Sequence, residues 1–371
     1  MASPHPEVLR LARGESVRVS LDAEAFVRSA FEHRLGGLLW TAIEAGEIEQ
    51  LPTTLHQRAA IADLRVAAHH HALWDGLVRL EDELRSIGVT PVSLKGVTSE
   101  ARWYDRIGER PCSDIDIWLR PDDHTRLDAV LDMFQLASDV KKMILRLVDR
   151  RQLQHVDVLW GGVSVDLHFD PMKLGIWTRS ADEILERCVF LDGVKGCRST
   201  VLSAEDALVL FLLHLNKDRF AYLGAAGDVK RVMEREELDW DTIHRLVSAE
   251  GLDVPVYQSL AAVAAVLGMD IPSMARVTGL RGELWTRLWP EKSRFRGHEG
   301  RMAHPRRQVL IPGLARHRGA DAFKEWRRQL LPSKELLVVQ GVAVSNGPMR
   351  ALTIDRWNRR RARGDKRVSR Q

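Results

Sequence analysis

Apolar residues recur at helical spacing through residues 22–46 (DAEAFVRSAFEHRLGGLLWTAIEAG) and again through 54–87, with EIEQLPTT as the break. The pattern then changes. VTPVSLKG (89–96) reads as a short strand ending at a glycine, followed by a helix over 97–104 and a polar loop over 105–113. A strand over 114–119 and a helix over 121–136, opened by Pro121, come next. In LQHVDVLWGGVSVDLHF (153–169) two β-type runs flank Gly161-Gly162, the signature of a tight hairpin with positive φ at both turn positions. With those glycines as the turn, Trp160 opposes Val163 and Asp157 opposes Asp166. From residue 203 the spacing is helical again, through SAEDALVLFLLHL, DWDTIHRLVSAEGL and VYQSLAAVAAVLGM. No internal repeat is visible. The layout is α/β (α+β): a central mixed-sheet unit over 89–192, helical regions over 1–88 and 193–340, and a basic tail over 341–371 expected to be disordered.

Composition narrows the class. The chain has 371 residues, 45% hydrophobic and 29% charged, as expected of a soluble globular protein with a sizeable core. No apolar run reaches the length of a membrane span, and the N-terminal stretch lacks the apolar core of a signal peptide. Three cysteines without CxxC spacing argue against a disulfide framework and against a zinc site, so a reduced, cytoplasmic setting is expected. The formal charge of +4 misleads. Nine Arg/Lys against two Asp between Arg350 and Arg370 put +7 on the tail and leave the rest near −3. The body therefore has no global electrostatic reason to bind nucleic acid, and a nucleic-acid partner is expected only through the tail.

The chemistry concentrates in the middle unit. In CSDIDIWLRPDD (112–123), Asp114 and Asp116 stand two apart on an apolar strand and so project to one side. Adjacent carboxylates repel unless a cation lies between them, and a hard divalent ion with oxygen ligands is the usual solution. The hairpin offers a third carboxylate from Asp157 or Asp166, the number that holds two magnesium ions for phosphoryl-type chemistry. Upstream, Gly96 ends a strand and opens a helix, where backbone N–H groups meet anions, and Lys95 supplies a point charge for a triphosphate. The chain contains neither GxxxxGK[ST] nor GxGxxG.

The segments SLKGVTSEARWYDRIGERPCSDIDIWLRPDD and VSVDLHFD resemble the nucleotidyltransferase superfamily of DNA polymerase β type. More narrowly, they resemble a poorly characterised bacterial nucleotidyltransferase family, over about residues 25–340. That resemblance implies a nucleotidyltransferase core with Asp114, Asp116 and Asp166 as metal carboxylates and Lys95, Gly96 and Ser113 on the nucleotide side. It implies two Mg2+ ions, an NTP substrate, a hydroxyl-type acceptor (small molecule, peptide or RNA) and pyrophosphate release. Val97 stands where the superfamily has a second small residue. Two other readings compete: a catalytically inactive binder with the same fold, and an RNA-binding protein acting through its tail.

Other polar residues carry weaker expectations. Arg110 meets phosphate or pairs with Glu109 or Asp105. His168, on the face of Asp166, orients its neighbour. Asp228, before VKRVM, caps a helix. The run His69-His70-His71 cannot present three rings on one helix face, so no metal role is expected of it.

Overall fold

A computed structural model describes residues 4–19, 22–172, 178, 180–194, 197–218 and 220–272, with Phe295 and Val339. The basic tail and the last helical part expected from sequence lie outside these residues. Eight strands are described: β1 (Val17–Arg18), β2 (Ile48–Glu49), β3 (Val92–Ser93), β4 (Ile115–Trp118), β5 (His155–Trp160), β6 (Val163–His168), β7 (Val189–Val194) and β8 (Cys197–Val201). The first four helices are α1 (Pro6–Arg13), α2 (Ala23–Glu32), α3 (Gly36–Glu44) and α4 (Thr53–Ser86). Then come α5 (Val97–Trp103), a 3-10 turn (Pro121–Arg126), α6 (Leu127–Met133), α7 (Ser138–Asp149) and α8 (Ala181–Arg187). The series closes with α9 (Ala204–Lys217), α10 (Leu223–Arg235), α11 (Trp240–Glu250) and α12 (Asp253–Leu267).

Strands β5-β6-β4-β3-β8-β7 form one sheet in that order. It is mixed: β4 runs parallel to β6 and β3 to β8, while the other neighbours are antiparallel. The α/β expectation holds. So does the hairpin: Gly161 and Gly162 have φ of 55° and 87°, Trp160 pairs with Val163 and Asp157 with Asp166. The hairpin β7–β8 and helix α7 lie outside the expectations from sequence, although Val140, Ile144, Leu147 and Val148 stand at helical spacing in α7.

Alternation divides the sheet into two faces. Ile115, Ile117, Val165 and Leu167 point one way, into a cluster completed by Leu73, Leu77, Leu80 and Leu84 of α4 and by α6 and α7. Asp116, Trp118, Asp166 and His168 point the other way. A second cluster joins α1–α3 to α9–α12, so the N- and C-terminal helices share one core. Its members Leu55 and Ala59 come from the first half of α4, so this 34-residue helix serves both clusters.

Two helical expectations need correction. The 22–46 stretch is two helices, because Arg34 turns left-handed (φ 60°) between α2 and α3. The 121–136 stretch opens as a 3-10 turn before α6, since its polar residues bond locally; Arg120 Nε, for example, donates to Asp123 Oδ2 at 3.1 Å.

Candidate active site

β4 starts one residue after Asp114, and its first apolar side chain, Ile115, is buried. That anchoring turns Asp116 to the opposite face, where it is fully buried. Parallel pairing sets Asp116 beside Asp166, and antiparallel pairing sets Asp157 beside Asp166, so three carboxylates lie in register across β5, β6 and β4. Among the described residues two groups bring potential ligand atoms within 4.8 Å of one another: Asp116, Asp166 and His168, and His155, Asp157 and Asp166. Asp166 belongs to both. Asp157 is exposed, and Asp114 stands in neither group.

Asp116 is the electrostatic centre. The Lys95 ammonium bonds its Oδ2, and His168 Nε2 lies 3.1 Å from its Oδ1. Burial alone would raise this carboxyl, but Lys95 and His168 outweigh it and hold Asp116 well below the usual carboxylate range. Conversely, burial would lower Lys95, yet the charges of Asp116 and Asp114 keep it above the usual lysine range. Both partners therefore stay charged. His168 also reaches Asp166 Oδ2 at 3.4 Å, so its buried ring bridges the two carboxylates.

A cleft of about 280 Å³ opens over these groups. Lys95, Gly96, Ser113, Asp114, Asp116 and Asp166 all line it. Gly96 has φ 81° and ψ −130°, a conformation that excludes a side chain, and an added Cβ would stand 3.3 Å from the carbonyl oxygen of Asp114. The strand end carrying Lys95 and the strand start carrying Asp114 are thereby brought close. Ser113 is exposed, with Oγ 3.5 Å from Asp114 Oδ1.

The loop leading to Asp114 is braced from beneath. Cys112 N–H donates to His70 Nε2 (3.2 Å), which leaves the proton of a neutral ring on Nδ1, donated to Glu100 Oε2 at 2.9 Å. The other oxygen of Glu100 accepts Gly108 N–H (2.8 Å) and Arg110 N–H (3.2 Å). Of the three adjacent histidines only His70 is buried. Burial pushes the Cys112 thiol up to about 12, so it remains protonated.

Two expectations are corrected here. Arg110 takes neither Glu109 nor Asp105 but Asp228, through Nε (2.7 Å) and Nη2 (2.9 Å). Asp228 caps no helix; it sits inside α10, which begins at Leu223, and it also accepts Tyr104 O–H at 2.6 Å. The glycines at 224 and 227 hid that start, although Leu223, Ala226 and Val229 are a buried helical stripe. Sequence reasoning also missed the far wall, formed by Arg34, His214, Lys217 and Asp218. Nothing local marks these residues, because tertiary packing alone brings them to the cleft.

No helix among the described residues is long and apolar enough to cross a membrane. A family model described as uncharacterised nucleotidyltransferase matches residues 20–268, spanning the helices on both sides of the sheet. No curated protein matches the chain.

Proposed function

Because the chain belongs to the uncharacterised nucleotidyltransferase family, we propose that it moves a nucleoside monophosphate from an NTP to a hydroxyl-type acceptor and releases pyrophosphate. The observation that carries this reading is the convergence of Lys95, Gly96, Asp114, Asp116 and Asp166 on one cleft. The donor set fits a hard divalent cation: Asp116 and Asp166 offer oxygen ligands within 4.8 Å of each other, in a site where both are buried. Asp116, Asp166 and the neighbouring Asp114 would hold Mg2+, two ions on this reading. When bound, the ions neutralise phosphate charge and ease ionisation of the acceptor hydroxyl.

The side chains do the rest by position and charge. Lys95 keeps Asp116 ionised, and its ammonium borders the cleft, where it can pass from the carboxylate to a phosphate oxygen. His168 contacts both Asp116 and Asp166 through Nε2, so it orients the pair and takes no substrate contact in this reading. Gly96 lets the chain turn without a side chain between Lys95 and the carboxylates. Residues of α9 and α10 enclose the opposite side, where a small molecule, peptide or RNA acceptor would enter.

The test is transfer of label from each α-labelled NTP, with MgCl2 and pools of small molecules, peptides and RNA, read as pyrophosphate release and mass gain. Magnesium-dependent release that Asp116→Asn abolishes is the expected result. Absence of magnesium-dependent NTP binding, or release unaffected by Asp116→Asn, would refute the proposal.

A further inference from the structure

We propose that Arg34, contributed by the N-terminal helices, is an anion-binding residue of this cleft and takes phosphate oxygens of the NTP. The inference rests on the functional reading above.

Of the two guanidinium groups that line the cleft among the described residues, Arg110 is committed to Asp228 in a bidentate pair. Lys95 is engaged by Asp116. Arg34 makes no ion pair with any described residue. It is exposed, and its guanidinium carbon lies 4.2 Å from the centroid of the Tyr222 ring. Stacking on an aromatic face fixes the plane of the group and leaves its N–H edges available.

The backbone is fixed as firmly as the head. Arg34 adopts φ 60°, a left-handed conformation that costs a residue with a Cβ roughly 1–2 kcal/mol. Three hydrogen bonds hold it there: Arg34 N–H to Phe31 O (3.0 Å), Leu35 N–H to Ala30 O (2.8 Å) and Gly224 N–H to His33 O (2.9 Å). At Gly224 a Cβ would stand 2.7 Å from Arg34 O, so α10 approaches this turn as only glycine allows. A strained residue, held from two sides, presents a cation to a cleft that Asp114, Asp116 and Asp166 also line. That is a pre-organised phosphate contact rather than a solvated surface arginine. The planar fork matches phosphate oxygens bidentately, and Arg34 lines the same cleft as the groups assigned to the metal end of the triphosphate.

The test uses the full chain and two variants, Arg34→Met, which keeps the stem over Tyr222, and Arg34→Lys, which keeps the charge without the fork. Binding of Mg-NTP, Mg-pyrophosphate and the free nucleoside is measured by calorimetry at two salt concentrations. Arg34→Met should weaken NTP and pyrophosphate about tenfold or more and lower the salt dependence, with nucleoside affinity within about twofold of wild type. Arg34→Lys should fall between. NTP and pyrophosphate affinity unchanged in Arg34→Met overturns the assignment, and so does an equal loss of nucleoside affinity, which would point to a disturbed fold instead of a lost phosphate contact. A wild-type protein that binds no NTP overturns the functional reading itself, and this inference with it.

Discussion

Removing the carboxylate of Asp228 should destabilise the protein far more than removing an equally short ion pair at its surface. In the structure Asp228 accepts two bonds from Arg110 and one from Tyr104, and the Arg110 side chain is only 11% exposed. Asp228→Ala leaves that guanidinium buried without a counter-charge and the Tyr104 hydroxyl without its acceptor. Breaking a buried pair from one side costs about 3–5 kcal/mol. Arg58 and Glu24 form an equally short pair, in which Arg58 Nη1 lies 2.8 Å from each carboxylate oxygen, but both side chains are more than half exposed. Glu24→Ala should cost about 0–1 kcal/mol. Burial, not bond length, sets the difference. Urea unfolding followed by tryptophan fluorescence measures both. A triple change, Tyr104→Phe with Arg110→Met and Asp228→Leu, should recover most of the loss, because no buried polar group is left without a partner. An Asp228→Ala cost below about 1 kcal/mol, equal to that of Glu24→Ala, would refute the reasoning.

Asp166→Asn should eliminate transfer activity, since Asp166 lies in both ligand groups, whereas exposed Asp157→Asn should lower it only about ten- to a hundredfold; steady-state rates of the two variants decide. Gly96→Ala should fold yet cost roughly 1–2 kcal/mol and lose most activity, because its Cβ meets the Asp114 carbonyl from a positive-φ position; a melting curve beside the rate assay checks both halves. Burial holds His33 down to about 4, so between pH 6.5 and 4 the unfolded chain binds a proton that the folded chain refuses. Stability should therefore fall as pH drops through that window, by about 2 kcal/mol at pH 5, and His33→Asn should remove this part of the slope in urea titrations at pH 7.5 and 5.

The strand chemistry was legible because period-two alternation and a Gly-Gly turn are local signals. They set Asp116 apart from its apolar neighbours and fixed the pairing of Asp157 with Asp166, whereas the parallel pairing that puts Asp166 beside Asp116 appears only in the folded sheet. The helical wall was not legible. Arg34 reaches the cleft because one residue turns left-handed inside what reads as a continuous helix, and because Gly224, nearly two hundred residues later, comes to rest against it. Arg110 and Asp228, 118 residues apart, show the same limit: each has plausible local partners, and both take a distant one. Glu100 and His70 gave no signal either, since a buried polar pair inside two helices looks like any polar position on a solvated face.

The two faces of β4 and β6 bear on how this site can vary. Asp116 and Asp166 alternate with Ile115, Ile117, Val165 and Leu167, all of them essentially inaccessible to solvent. A slip of one residue in either strand would drive a carboxylate into the apolar cluster and an aliphatic side chain into the cleft. The hydrophobic core thus acts as a ruler for the acidic ligands, and their spacing cannot drift without loss of the fold. The opposing wall answers to no such ruler, because its residues come from separate helices and turns. Adaptation to a different acceptor is therefore open at His214, Lys217 and Asp218, and closed along the strands.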